Sequence, residues 1–262
     1  MTLRIGWLTT GRGEGSRRLY RATRDAIGAG ELAAEMAVFF CNRDPGEAAA
    51  TDELLEEARA DGVPVVTRSS VAFRRARSGE RSRPGEPLPS WRADYDLAVA
   101  EALAAYPFEI GVLAGYMLIL TGGFVGRHAL LNFPPALPTG PAGTWREVIC
   151  ELIRTRATES GVMMHLAIAE VDAGPVASFC RYPLRDAELL PLWRELEPAL
   201  DGATDRELEA SPLFAAIRRR GLRHEAPLLV ATLAAVADGR LRLAGGRRLE
   251  GAPLELPAPP PP

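Results

Sequence analysis

The 262-residue chain contains no lysine; all 31 basic side chains are arginines. Without lysine there is no Schiff-base chemistry on the protein and no lysine-linked pyridoxal phosphate. A phosphate loop of the Walker type is excluded for the same reason. Cysteine is scarce: Cys41, Cys150 and Cys180 are far apart, odd in number and form no CxxC pair, which argues against a disulfide framework or a metal site. No basic-then-apolar leader opens the chain and no apolar run reaches membrane-spanning length. These absences predict a cytoplasmic protein with no membrane partner and no metal. A formal net charge of −3 is too small for a nucleic-acid binder. Almost half the residues are hydrophobic and a quarter are charged, the balance of a globular protein with a sizeable core.

Apolar strands at 3–9 and 34–41 alternate with helical patterns at 17–29 and 49–61. A short strand at 63–67, a helix at 91–106, and strands at 109–114 and 129–133 continue the alternation. A helix at 144–156 follows, then two strands at 162–168 and 175–182 joined by a tight turn. The pattern predicts an α/β fold with a mostly parallel twisted sheet and helices on both faces, Rossmann-like in architecture. Residues 1–182 read as the core and 183–243 as a helical segment completing the same domain. Residues 244–262 read as a proline-rich tail, with LPAPPPP at its end disordered. Arg74 to Ser90, rich in Arg, Ser, Gly and Pro, reads as a mobile surface loop inserted in the core. Residues 186–215 read as a second insertion. In such sheets ligands lie beyond the carboxyl ends of the strands, so the turns after residues 9, 41, 114 and 132 are the ones to watch.

The first of these turns is Gly11-Arg12-Gly13-Glu14-Gly15-Ser16. Glycines allow close backbone approach, and a helix start offers free N–H groups to an anion. Arg17 and Arg18 stand next to it as further donors. The spacing is not GxGxxG and no acidic residue closes the second strand, so a monophosphate fits better than a dinucleotide. A tight βα turn without a ligand is the alternative.

Three further motifs follow in order: LAGYMLIL at 113–120, LNFPPALP at 131–138, and GVMMHLAIAEVDAGPV at 161–176. With the glycine turn they resemble the glycinamide ribonucleotide formyltransferase family. That family reads LAG-aromatic-M-x-IL, then N-x-H-P-S-L-P, then G-x-x-x-H-x-x-x-D-E-x-D-x-G-P. The resemblance implies a formyltransferase-type fold and a one-carbon enzyme of the purine-biosynthesis type. It implies 10-formyltetrahydrofolate as co-substrate and a small phosphorylated amine as acceptor. The phosphate would lie on Gly11, Arg12, Gly13, Gly15 and Ser16. The folate would lie against Met117, Leu118, Ile119, Leu120, Ala169 and Asp172. Of the Asn, His and Asp that share catalysis in the family, Asn132 is kept, while the His position reads Pro134 and the Asp position is read as Ala169. Three polar residues are placed to compensate, His165, Glu170 and Asp172, with a small backbone shift needed to bring Glu170 to the lost carboxylate; the alternative, slightly favoured, is that His165 is a packed strand residue and Glu170 a solvated turn residue. Two functions stay open: an active formyltransferase with altered catalytic groups or acceptor, and a non-catalytic relative that binds folate or a phosphorylated ligand.

Overall fold

The computed structural model describes residues 2–83, 86–244 and 248–257. The chain runs β1 (Leu3–Thr9), α1 (Glu14–Gly28), β2 (Ala34–Cys41), α2 (Ala49–Ala60), β3 (Val65–Thr67), α3 (Ser70–Ala76), α4 (Trp91–Leu103) and β4 (Ile110–Leu113). It continues with α5 (Gly122–Val125), β5 (Leu130–Asn132), α6 (Trp145–Arg154), β6 (Glu159–Leu166), β7 (Val176–Pro183) and α7 (Leu190–Leu196). A 3-10 turn at Glu197–Gly202, then α8 (Asp205–Glu209), α9 (Pro212–Ala237), β8 (Arg242–Ala244), β9 (Arg248–Glu250) and β10 (Leu254–Glu255) complete it. Eight strands form one sheet in the order β10-β7-β6-β5-β4-β1-β2-β3. The pairings among β1 to β5 are parallel, and β6 runs antiparallel to both β5 and β7. The mostly parallel α/β fold read from the sequence is the fold the chain adopts.

Strand alternation explains why helices cover both faces. Ile5 and Trp7 of β1, Phe39 and Cys41 of β2, and Ile110 and Val112 of β4 enter one core with residues of α1, α2, α6 and α9. Leu8, Val38, Phe40 and Leu113 point the other way, into a second core with Phe73, Tyr95, Val99 and Phe124 of α3, α4 and α5. In the first core Tyr20 stands edge-on between Trp7 and Phe39, with ring centroids 5.7 and 5.4 Å away. Each such aromatic pair adds about 0.5–1.5 kcal/mol beyond its buried area.

The two stretches read as irregular are partly built into the fold. Arg74 to Ala76 close α3, the Arg77 guanidinium lies 3.7 Å from the centre of the Phe73 ring, and Trp91 Nε1 donates to the Glu80 carbonyl at 2.8 Å. Exposed arginines and prolines disguised this because the anchors, Phe73 and Trp91, lie outside the polar run. Within the stretch read as a tail, β9 pairs with β8 and β10 adds to the edge of the main sheet beside β7. Arg181 bridges Glu159 and Glu255 across that edge. Pro84 and Gly85 of the loop and residues 245–247 and 258–262 of the tail lie outside the described residues. No helix among the described residues is long and apolar enough to cross a membrane.

Candidate functional site

Strand β1 lies between β2 and β4, so connections leave its carboxyl end toward opposite faces of the sheet and a crevice opens there. The glycine turn after β1 and the 114–120 segment after β4 form its walls. They are tied together by Thr9, the last residue of β1, and by Thr10 just after it. Thr9 Oγ1 donates to the Ala114 carbonyl at 2.7 Å, and Thr10 Oγ1 accepts from the Met117 amide at 2.9 Å. Gly115 has a φ of +68°, and a Cβ there would lie 2.4 Å from Ser16 Oγ. Only glycine lets the two walls meet this closely.

The Met117–Thr121 segment is also clamped from behind. On α4, Arg92 and Asp96 are each 2% exposed at the side chain, with charged atoms 3.8 Å apart. Arg92 Nη2 donates to the Ile119 carbonyl, and Asp96 Oδ2 accepts from the Thr121 amide at 2.7 Å. Burial nonetheless pushes the Asp96 carboxyl above its ordinary range.

Asn132 ends β5 and stands directly opposite His165 of β6 in the antiparallel ladder. Asn132 Nδ2 is 3.4 Å from His165 Nε2 and donates to Asp172 Oδ1 at 3.1 Å. His165 Nε2 and Asp172 Oδ1 are 3.4 Å apart. His165 Nδ1 lies 3.0 Å from the Leu166 carbonyl, which can only accept, so Nδ1 carries a proton. Nε2 then either accepts from Asn132 or, when protonated, pairs with Asp172. Asn132 braces this pair by hydrogen bonding and carries no transferable proton, while the imidazole and the carboxylate are close enough to pass one between them.

The expectation that the carboxylate is lost at Ala169 is corrected by this cluster. Asp172 supplies one, because its left-handed conformation (φ 55°) turns the loop back toward β5. Gly174 permits that return: a Cβ there would lie 1.6 Å from the Leu166 carbonyl oxygen. Glu170, expected as the replacement, is exposed and lines none of the cavities described here. Ala169 packs beside Gly122 on a small apolar pocket of about 190 Å³. At the family's His position, Pro134 lines the cleft and offers no proton.

Two connected hollows meet at this cluster, sharing Tyr116, Met117, Asn132 and Asp172. One, of about 550 Å³, has Arg12, Gly13, Gly15 and Ser16 in its wall. Gly11 shapes the turn with φ +64° and lies outside that wall. The expectation that Arg17 and Arg18 face an anion here is corrected. Arg17 pairs with Glu53 of α2 at 2.7 Å and Arg18 with Glu225 of α9 at 3.4 Å, since both project from the body of α1 toward neighbouring helices. Arg12 is exposed and has no carboxylate partner among the described residues. Sequence reasoning missed Trp145, Arg218 and Glu225 in this wall. The Arg218 guanidinium sits 4.6 Å from the Trp145 ring centre and 3.3 Å from Glu225. Burial raises the Glu225 carboxyl, while Arg218 and Arg18 oppose that rise. Nothing in the helical spacing of α9 distinguishes these two residues from other polar positions.

The other hollow, of about 630 Å³, is lined by Met117, Leu118, Ile119, Leu120, Val125, Ala167 and Ile168, with Glu147 and Thr144 at the start of α6. The remaining histidines serve packing. His224 stacks on Tyr182 with centroids 4.6 Å apart, and His128 stacks on Phe108 at 5.1 Å.

The model of the formyl transferase family matches residues 10–183. A phosphoribosylglycinamide formyltransferase of Escherichia coli is 30% identical over 134 residues, half of this chain and 54% of that protein. The chain spans about half the length of the curated phosphoribosylglycinamide formyltransferases it matches. Glycinamide ribonucleotide transformylase 1 of Symbiobacterium toebii superposes with a TM-score of 0.63 at 26% identity, covering 95% of this chain and 93% of that one. A formyltetrahydrofolate deformylase of Pseudomonas syringae pv. tomato shares the fold, with a TM-score of 0.61 at 15% identity over 94% of this chain and 65% of that one.

Proposed function

Because the chain belongs to the formyl transferase family, we propose that it moves a formyl group from 10-formyltetrahydrofolate to the amine of a small phosphorylated acceptor, with Asp172 and His165 handling the proton. The reading rests above all on the Asn132–His165–Asp172 cluster at the seam of two hollows of opposite character. Its expected setting is the cytoplasm and its expected metabolic place is purine-type one-carbon chemistry.

The residues present fit both ligands. The apolar hollow accepts a flat heterocycle against Leu120, Val125 and Ile168, and the folate supplies the activated formyl carbon when bound. The other hollow offers the free N–H groups at the start of α1, where Gly13 gives no side-chain cap, and the unpaired Arg12. Both favour a phosphate. Glu225 accepts from hydroxyls between the phosphate and the seam. The acceptor amine then lies against Asn132 and Asp172. As the amine attacks, Asn132 Nδ2 turns from Asp172 to the formyl oxygen, which gains negative charge. Asp172 takes the amine proton, and the His165 imidazole, oriented by the Leu166 carbonyl, stabilises or relays it. The proton returns to the departing folate nitrogen. Pro134 leaves the oxyanion with one side-chain donor fewer than the family pattern implies, so turnover is slow.

Pro134 also favours a second reading, a relative that binds the same ligands without turning them over. A steady-state assay with 10-formyltetrahydrofolate and glycinamide ribonucleotide or other phosphorylated amines separates the two. Turnover abolished by Asp172→Asn with ligand affinity kept supports the enzyme. Ligand binding with no turnover for any acceptor supports the binding protein and sinks the first reading.

A further inference from the structure

Guanidinium groups line one half of the cleft and, among the described residues, not the other. On the glycine-turn side stand Arg12, without a carboxylate partner among the described residues, and Arg218, which is paired with Glu225 of the same wall. On the apolar side the ionisable groups are Glu147, Asp172 and His165, with no arginine in the wall among the described residues. Glu147 is fully ionised at neutral pH, because hydrogen bonds from the Thr144 backbone and side chain hold its carboxyl below the ordinary range. The rim is apolar: Met117 is 63% exposed, Ile119 47% and Val171 59%. The chain has no lysine, so arginine is the one permanent cation it can extend to a ligand. Arg92, the arginine behind this segment, is buried and engaged with Ile119 and Asp96.

A folate carries a carboxylate tail, two negative charges on the first glutamate and one more on each that follows. We propose, on the donor reading above, that the apolar half of this cleft takes a formylated reduced pterin by its ring and linker alone and does not recognise the anionic tail. A glutamate chain leaving past Met117 and Ile119 meets apolar side chains, with the Glu147 carboxylate in the same wall and no guanidinium among the described residues. Ion pairing there is replaced by repulsion, screened but unfavourable. Donors without glutamate are therefore full substrates of this site, and added glutamates give no gain in affinity. The phosphate-bearing acceptor, in contrast, is held on the half that carries Arg12 and the start of α1.

The test is calorimetric binding, with no acceptor amine present, of three 10-formyl-5,8-dideaza analogues to the full chain: glutamate-free, monoglutamate and triglutamate, at low and high salt. The glutamate-free analogue should bind as tightly as the others or more tightly, and salt should help the triglutamate. Installing a cation by Leu118→Arg should make the triglutamate the preferred ligand by about fivefold, the upper worth of an exposed ion pair. Ile119→Arg, on the exposed rim, serves the same purpose if the half-buried position 118 disturbs folding. A triglutamate bound by the wild type more than about threefold tighter than the glutamate-free analogue overturns the proposal alone, leaving the donor reading intact. The same follows if both arginine variants fold and neither favours the triglutamate. No binding of any analogue overturns the proposal together with the donor reading.

Discussion

The glycine turn and the Met117–Thr121 segment face each other across the cleft, and they are held by different means. The turn takes its shape from its own neighbours in sequence, since Thr9 Oγ1 accepts from the Gly11 amide at 2.9 Å and α1 follows at once, and the Thr51 hydroxyl of α2 braces it by donating to the Gly11 carbonyl at 3.1 Å. The Met117–Thr121 segment is positioned from another helix, by a buried ion pair that grips a carbonyl and an amide on either side of Leu120. A local device leaves its donors free for a ligand. A long-range clamp uses up its polar groups and leaves an apolar surface. That contrast sets which ligand each half can hold.

The sharpest way to probe the comparison is at the seam, where both halves depend on one group. Asp172→Asn should lower turnover by about 10²–10⁴-fold, the usual loss for a proton-transfer group. Asp172 is 43% exposed at the side chain, so thermal stability and the affinity of each ligand should change little. A variant that turns over normally would show that Asp172 only braces Asn132.

Breaking the clamp should act on one half through stability. Arg92→Met strands Asp96 in the core, and removing one partner of a buried pair costs about 3–5 kcal/mol. Urea unfolding measures it. The Asp96 carboxyl is raised by burial, so its protonated form is the one favoured in the fold. Its contribution is present at acid pH and lost as the pH rises through its folded value. The damage in Arg92→Met should therefore be larger at neutral pH than near pH 4. A cost independent of pH would mean that Asp96 stays neutral throughout.

On the other half, Arg12→Ala should weaken a phosphorylated ligand by about tenfold, the low end for a charge-assisted hydrogen bond. Affinity for an uncharged donor analogue should be unchanged. Equal losses for both ligands would erase the distinction drawn between the halves.

The smallest effect expected is general to the fold. His128 and His224 are held below the ordinary imidazole value of 6.5, first by burial and then by nearby arginines. A lowered folded value means that their contribution is complete above about 6.5 and is lost as the pH falls through the folded value. Thermal melting between neutral pH and pH 5 should show a modest drop in the wild type, smaller in His224→Gln. An unchanged drop would place the acid sensitivity elsewhere.

Much of the architecture was legible because it repeats at short range. The apolar runs LRIGWLT and AEMAVFFC coincide with β1 and β2 to the residue. The glycine turn was visible because turn, strand end and helix start are contiguous. Asn132 and His165 were both named from the family resemblance, but their meeting depends on the β5–β6 register. Glu170 and Asp172 are two residues apart in a loop of small side chains. Which one reaches Asn132 is set by a single left-handed residue and by the return of the chain at Gly174, neither of which has a periodic signature. Arg92 and Asp96 read as ordinary helix charges because burial is absent from the pattern.

The sequence by itself determined the sheet, the order of its strand-end motifs and the absence of lysine, because local periodicity and composition need no partner to be read. Tertiary structure alone decided that Asp172 joins Asn132 and His165, that Arg17 and Arg18 are spent on neighbouring helices, and that guanidinium groups line one half of the cleft and not the other among the described residues. Charge at a site is the sum over side chains brought together from distant parts of the chain, and only folding fixes which of them are in contact.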